Sequence, residues 1–566
     1  MKNRIVSFIL VAVMCAACVC TAFAANPGTA SGVTAEMCFA DYWKERTLGD
    51  SDRVLMTKED IEQVNKSGVD SKNTYIMGID TMSETYNADK QRKKMQFAVP
   101  EKTLFIDGEK IDKEAYYAKI NEAILETGYT ETEKESGYAI CVKCTTMRYL
   151  PTLDSIGYSA DDTDDEMAYE CITVNEPFLI RGECTIDSVK FYYGYSLDCD
   201  GWVPADDFAL CESKAQWLDA WQFELDGNDF IVVTQDKITL EPNLIDGYSS
   251  NLLLNLSTAL KLVPENKIPA SIGGRSSWNN YVVYVPTKNA DGMYEAKPAL
   301  ISQHNSVSIG YLPFTQANVL DVAFGCLGDA YGWGGMLGLY DCSLFTRSVY
   351  RCFGIIFPRN TTWQQNVQGT VIKLSDMTDS EKQEIIETLP SGSVLFINGH
   401  TMMYTGSVDS IGYVISDLGT VVESSGSNDV LDIFSITLTP LTVRRGAGYN
   451  YGTWLHCLTN AVMVMPKTDL ASDEVSVKYM YDTLNPEEIT AEVTCGGKVL
   501  TEGLHYTVTR EDGGITLEGI NTFTGTVSGD ETDIETEKVS FLQSICNFFA
   551  KIIECIKNIF SGLLKK

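Results

Sequence analysis

The sequence predicts a multidomain α+β protein: a leader, a helical or mixed segment, two small β-barrels, an α+β block, a small all-β module and an amphipathic C-terminal helix. Three observations lead there. The chain has 566 residues, more than one core organises at roughly 100–200 residues per domain. Hydrophobic residues make up 44% and charged residues 21%, ordinary globular usage that excludes wholesale disorder. The apolar pattern changes character along the chain, from short runs between Gly, Asp and Pro to helix and strand signals side by side. The 77 acidic against 44 basic residues give a formal charge of −33, which argues against a nucleic-acid binder, since such proteins gain affinity by neutralising phosphates with Lys and Arg.

Residues 1–24 carry Lys2 and Arg4, an apolar run from Ile5 to Cys20, and small residues ending Ala22-Phe23-Ala24. That order is a secretory signal too short to favour a permanent span, and cleavage is expected after Ala24. The mature protein is therefore expected to be exported: extracellular, in the envelope or periplasmic. Ala16-Ala17 before Cys18 would also permit a lipoprotein, although Cys15 sits where an aliphatic residue is wanted. Residues 25–137 read as helical or mixed, with no catalytic spacing. Short apolar runs such as Phe178-Leu179-Ile180 and Gly201-Trp202-Val203 make 138–212 a first barrel, and Phe230-Ile231-Val232-Val233 with Tyr281-Val282-Val283-Tyr284-Val285 make 213–305 a second. In 306–466 helical spacing at Ala317–Leu327 and Cys342–Phe353 alternates with strand runs at Val394–Ile397 and Met402–Tyr404, an α+β block. Alternation at Ile489–Val493 and Tyr506–Thr509 marks a β module over 467–528. An acidic linker then leads to Leu542, Ile545, Phe549, Ile552, Ile556, Ile559 and Leu563. Their three- and four-residue spacing within 529–566 makes 539–566 a candidate helix for a membrane surface, a partner helix or the protein's own modules.

Three of the 17 cysteines leave with the signal. In an exported protein Cys141/Cys144 and Cys184/Cys199 are disulfide candidates, with connectivity beyond sequence reasoning. Only four histidines occur, His304, His400, His456 and His505, and no second pair completes a zinc ligand set. No metal and no organic cofactor is expected.

The chemistry concentrates in Gly328-Asp329-Ala330-Tyr331-Gly332-Trp333-Gly334-Gly335 followed by Asp341-Cys342-Ser343. A glycine-rich loop delivers the chain into a helix that begins at Cys342. A helix N-terminus stabilises thiolate and supplies N–H groups for an oxyanion. The nucleophile needs a base. His456 adjoins Cys457, His505 lies in the β module and His304 precedes the block, so His400, at a turn between two strand signals, is the candidate. Trp333 and Phe357 read as core.

These residues resemble the NlpC/p60 cell-wall peptidases, papain-like cysteine enzymes of bacteria. The resemblance rests on Tyr331-Gly332-Trp333-Gly334-Gly335, Asp341-Cys342-Ser343, Phe357-Pro358-Arg359 and Gly399-His400-Thr401-Met402-Met403-Tyr404-Thr405-Gly406, in that order. Arg148-Tyr149-Leu150-Pro151-Thr152 and Gly201-Trp202-Val203 are similar to the bacterial SH3-like modules of one branch, so the two barrels would be SH3-like and the likeness covers about 36–466. It implies a papain-like domain hydrolysing peptidoglycan stem peptides, commonly between γ-D-glutamate and a diamino acid, through a Cys342 thioester with His400 as base. By the same resemblance Tyr331 lines the oxyanion region, Asp341 contacts the substrate's free amino terminus and Ser343 is a neighbouring contact. The family's third polar residue falls at Ser416, which orients an imidazole less well than His, Asn or a carboxylate; Asp417 would face away in a regular strand unless a bulge intervenes. A catalytically weakened envelope-binding protein, or an amidase or acyltransferase on the same fold, are the alternatives. No G-x-S-x-G, P-loop or H-E-x-x-H pattern occurs, which disfavours serine-hydrolase, nucleotide and metalloprotease chemistry.

Overall fold

The computed structural model describes residues 28–125, 133–243, 245–423, 428–445 and 452–464, and six strands between 475 and 529. The leader and the predicted helix at 539–566 lie outside the described residues. The chain divides into two units, 1–466 and 467–566. The second contains two three-stranded antiparallel sheets, the first formed by Val475–Asp482, Asn485–Cys495 and Lys498–Leu500, the second by Tyr506–Glu511, Gly514–Gly519 and Thr526–Gly529. The first unit is mixed α/β and carries the chemistry. Among the described residues no helix is long and apolar enough to cross a membrane.

In the first unit seven strands form one antiparallel sheet: β1 (Gly137–Cys141), β2 (Thr145–Arg148), β3 (Ala168–Ile172), β4 (Pro177–Ile186), β5 (Val189–Tyr195), β6 (Asp200–Pro204) and β7 (Phe208–Leu210). Their order is β7-β1-β4-β5-β6-β2-β3. The next stretch is three small sheets rather than one: β8 (Phe230–Val233) between β9 (Ala259–Lys261) and a strand at Val307–Ile309, the long hairpin Asn280–Lys288/Tyr294–Ser302, and the pair Lys237–Thr239/Leu253–Asn255. Ile231, Val233, Leu254, Val283, Val285 and Ile301 are buried together among them. Apolar faces of several short strands thus converge on one core, which offsets the weakness of each isolated pair.

The α+β block is built on a helix against a sheet. Helix α1 (Gln316–Phe324) precedes the glycine loop, and α2 (Cys342–Arg351) follows it. The sheet holds β10 (Gly369–Lys373), β11 (Val394–Ile397), β12 (His400–Val408), β13 (Ile411–Val422), β14 (Leu431–Pro440) and β15 (Asn460–Val464), in the order β10-β15-β11-β12-β13-β14. Leu344, Phe345 and Val349 of α2 bury against Met403 and Ile415 of the sheet. That contact fixes the helix axis across the strands that carry His400 and Ser416.

The N-terminal segment does not stand apart. Trp43 is fully buried in the same core as α2, with its ring 5.2 Å from Tyr413, and Tyr413 Oη donates to Gly32 O at 2.9 Å. Farther along, Ala88, Tyr117, Ile120 and Ile124 pack on Leu150, just past β2, and on Phe191 and Trp202 of the seven-stranded sheet. One half of this segment therefore belongs physically to the α+β block and the other to the first β region.

Candidate active site

Cys342 is the first residue of α2. Asp341 before it is extended, and its carboxylate accepts the Leu344 N–H at 2.9 Å, the geometry of an N-cap. The glycines of the preceding loop are required by contact. Gly334 has φ +61° and a Cβ there would sit 2.2 Å from Ala168 O; Gly335 has φ +78° and its Cβ would sit 2.7 Å from the Cys171 nitrogen. The loop therefore lies directly on β3 of the first sheet, which side chains would prevent. Its other end is anchored to the block's own sheet, because the Tyr331 N–H donates to Phe434 O at 2.9 Å.

His400 is placed by the β11/β12 hairpin. Ile397 pairs with His400 across the turn Asn398-Gly399, and Gly399 at φ +76° supplies the left-handed residue such a turn needs. The imidazole lies 5.3 Å from the Trp454 ring, and its Nε2 is 3.2 Å from Ser416 Oγ. With Nε2 held there, Nδ1 is the nitrogen left for chemistry. Cys342, His400, Tyr331, Asp341 and Ser343 all line one cleft of about 640 Å³, which also takes Asp164 and Tyr169 from the first β region. Ser416 stands behind the imidazole rather than on the wall. His456 pairs with Asp379 and His304 with Ser302, both exposed, and neither lines the cleft. Phe357 is buried and stacked on Tyr350 at 4.4 Å. Trp333, expected in the core, is 42% exposed on the cleft rim, because the flanking glycines press the backbone against β3 and turn the indole outward.

Electrostatics corrects the expected thiolate. Burial pushes the Cys342 thiol up to about 12, the Asp341 carboxylate adds to this, and the Thr401 N–H, Thr361 hydroxyl and Arg359 guanidinium only partly oppose it. Burial takes His400 down to about 4, with Arg445 adding and Asp341 opposing. At neutral pH the resting pair is thiol and neutral imidazole; the helix N-terminus alone does not win against desolvation. Burial likewise raises Tyr331, so its phenol stays a proton donor.

Sequence reasoning gave no role to the arginines around α2: Arg359 stood only within the Phe357-Pro358-Arg359 motif, and Arg347 and Arg351 went unnoticed. Arg359 donates to Asp341 at 2.7 and 3.1 Å and to Ser343 Oγ at 2.9 Å, and its Nε is 2.7 Å from Glu170. Arg347 bonds Glu170 and places Nε 2.6 Å from Asp198, while Arg351 bonds Glu176. Asp341, whose two oxygens are thus engaged, is held below the usual carboxylate range: burial raises it, but Arg359, the Leu344 N–H and Ser343 outweigh that. Glu170, Asp198 and Cys199 lie close enough to share a metal ion, but both carboxylates are already paired with arginines. The signal available in sequence was Arg347 and Arg351 four apart on a helix whose other face is apolar; their partners lie about 150–180 residues away.

Asp417 is the opposite case. It is fully buried and lines the cleft, and neither oxygen has a side-chain hydrogen-bond partner among the described residues. Burial pushes it up to about 9, with Asp341 and Asp329 adding, and Lys237 and the Leu418 N–H offsetting part. An ordinary unfolded aspartate has a pKa near 3.9. Between about 4 and 9 the folded state therefore holds the extra proton, and stability falls as pH rises through that window. Asp417→Asn should raise Tm by several degrees at pH 8 and change it little at pH 4, as differential scanning calorimetry would read.

Residues 328–430 match the model of the NlpC/P60 family. Among solved structures the chain is similar to one described as a novel NlpC/P60 endopeptidase from Photobacterium damselae subsp. piscicida, with a TM-score of 0.56, 17% identity, and coverage of 76% of this chain and 98% of that one. This likeness concerns the fold. NlpC2 and NlpC1 from Trichomonas vaginalis align at 11% and 10% identity, covering 59% and 60% of this chain and 100% and 96% of theirs, with TM-scores of 0.22 and 0.23. The chain matches no curated protein sequence. The matched span runs from the glycine loop through Cys342 and His400 to just before β14, and over it the chain carries a domain of the NlpC/P60 family.

Proposed function

We propose that the protein is an exported cysteine peptidase that hydrolyses peptidoglycan stem peptides, at the bond between γ-D-glutamate and a diamino acid. The observation that carries the reading is one cleft holding Cys342 at a helix N-terminus, the His400 imidazole oriented by Ser416, and the Tyr331 phenol. Because thiol and imidazole rest neutral, His400 Nδ1 takes the Cys342 proton as sulfur attacks the amide carbon, rather than beforehand. The carbonyl oxygen becomes an oxyanion beside the Cys342 N–H and the Tyr331 hydroxyl. His400 then protonates the leaving amine, and water hydrolyses the thioester with His400 again as base. The Asp164 and Asp341 carboxylates in the cleft wall favour a substrate with a protonated amine.

Acid-quenched intact-mass spectrometry during turnover tests the reading: an acyl adduct on Cys342 is expected, and turnover with label on no cysteine would contradict it. The pH dependence follows from the signs above. The working base is neutral imidazole, so kcat/KM should stay level down to about pH 5 and fall as pH drops through about 4. An acid limb near 6.5, the ordinary histidine value, would show that burial does not depress the His400 imidazole.

A further inference from the structure

Cys144 and Cys171 point at each other with sulfurs 3.3 Å apart. Neither of the pairs suggested by spacing is made: Cys141 Sγ faces the Lys143 carbonyl, and Cys184 and Cys199 belong to different apolar clusters. Cys171 is buried on β3, while Cys144 is half-buried and sits just before β2, outside the paired residues Thr145–Ile172 and Thr146–Cys171. Its backbone is thus free of the ladder, and a disulfide, which needs sulfurs about 2.05 Å apart, requires a movement of only about 1 Å.

The pair lies directly under the glycine loop. A Cβ on Gly335 would sit 2.7 Å from Cys171 Cβ, and one on Gly338 would sit 3.1 Å from Cys144 Sγ. Leu344 of α2 packs against the same spot, 3.0 Å from that Gly335 position. We infer that Cys144 and Cys171 form a disulfide in oxidising surroundings, a staple across the β2/β3 edge on which the loop bearing Tyr331 rests.

The chemistry balances with a small-molecule disulfide as oxidant. The more accessible Cys144 thiolate attacks it, releasing one small thiol and leaving a mixed disulfide. Cys171, losing its proton, then attacks the Cys144 sulfur and expels the second small thiol. Two protein S–H bonds and one small-molecule S–S bond become one protein S–S bond and two small thiols. The first step falls to Cys144 because the shared proton with Cys144 and burial both raise the Cys171 thiol, which keeps it protonated until its partner is activated.

The test uses the full mature chain with Cys342→Ala, which removes the candidate nucleophile from the redox chemistry. After equilibration with oxidised glutathione, denaturation and alkylation without reduction, digestion should yield a peptide joining Cys144 to Cys171, two hydrogens lighter than its parts. Tm should rise by about 2–4 °C on oxidation, since the link closes a loop of roughly 28 residues, and the added Cys144→Ser change should remove that rise. Alkylated Cys144 and Cys171 after oxidation, or Cys144 joined to Cys141 instead, would overturn the inference. A crosslink with no change in Tm would overturn the stapling role.

Discussion

Replacing Cys342 with alanine is expected to lower hydrolysis of stem peptides at least ~10³-fold while leaving Tm within about 2 °C of the wild type. On the proposed mechanism the loss follows from removing the atom that would form the thioester, for which His400 and the proposed oxyanion donors cannot substitute. The stability should hold because alanine is the best helix former, and the N-terminus of α2 is fixed by Asp341 and Leu344 rather than by the thiol. Among the described residues the side-chain partner given up is a 3.9 Å contact with the Thr361 hydroxyl. Initial rates by chromatography, with a thermal melt on the same samples, separate the two effects. A variant that keeps a tenth of the activity would contradict the nucleophile assignment.

Arg347→Met is expected to destabilise the first unit by about 3–5 kcal/mol, the cost of stranding buried carboxylates by removing one partner of an ion pair. Arg347 is fully buried, and Glu170 and Asp198, at 0% side-chain exposure, would lose its guanidinium. Burial pushes Glu170 up, and Arg347 and Arg359 are the groups that pull it back. Methionine preserves much of the volume, so a cavity does not explain the loss. Arg347→Met combined with Glu170→Gln and Asp198→Asn should recover much of it, because neutral amides do not carry the desolvation cost of unpaired charges. Chemical denaturation of the three forms checks this. A single variant within 1 kcal/mol of wild type would show that these ion pairs do not hold the first β region to α2.

The α+β block around Cys342 and His400 was legible because its backbone requirements are local. Glycines in Tyr331-Gly332-Trp333-Gly334-Gly335, the Asp341 cap, and Gly399 before His400 each announce a backbone requirement within a few residues of the group it serves. Ser416 was legible at one remove, since an antiparallel hairpin returns the chain past His400. Other features depend on which distant surfaces meet. Trp43 buries in the α+β core although nothing in residues 28–68 distinguishes that partner from the first β region. Arg347, Glu170 and Asp198 read separately as ordinary surface charges, and only the docking of α2 on the first sheet removes them from water. The thiol pKa was misjudged for the same reason: a helix N-terminus is visible in sequence, whereas the enclosure that overrides it is made by the first β region, Thr361 and the β12 strand together.

The most direct measurement is mass spectrometry of products after the mature, reduced protein is incubated with L-Ala-γ-D-Glu-diamino-acid peptides. The account predicts release of L-Ala-D-Glu and the free diamino-acid fragment by the wild type, and intact peptide with Cys342→Ala. A folded wild type that leaves every such peptide intact would contradict it.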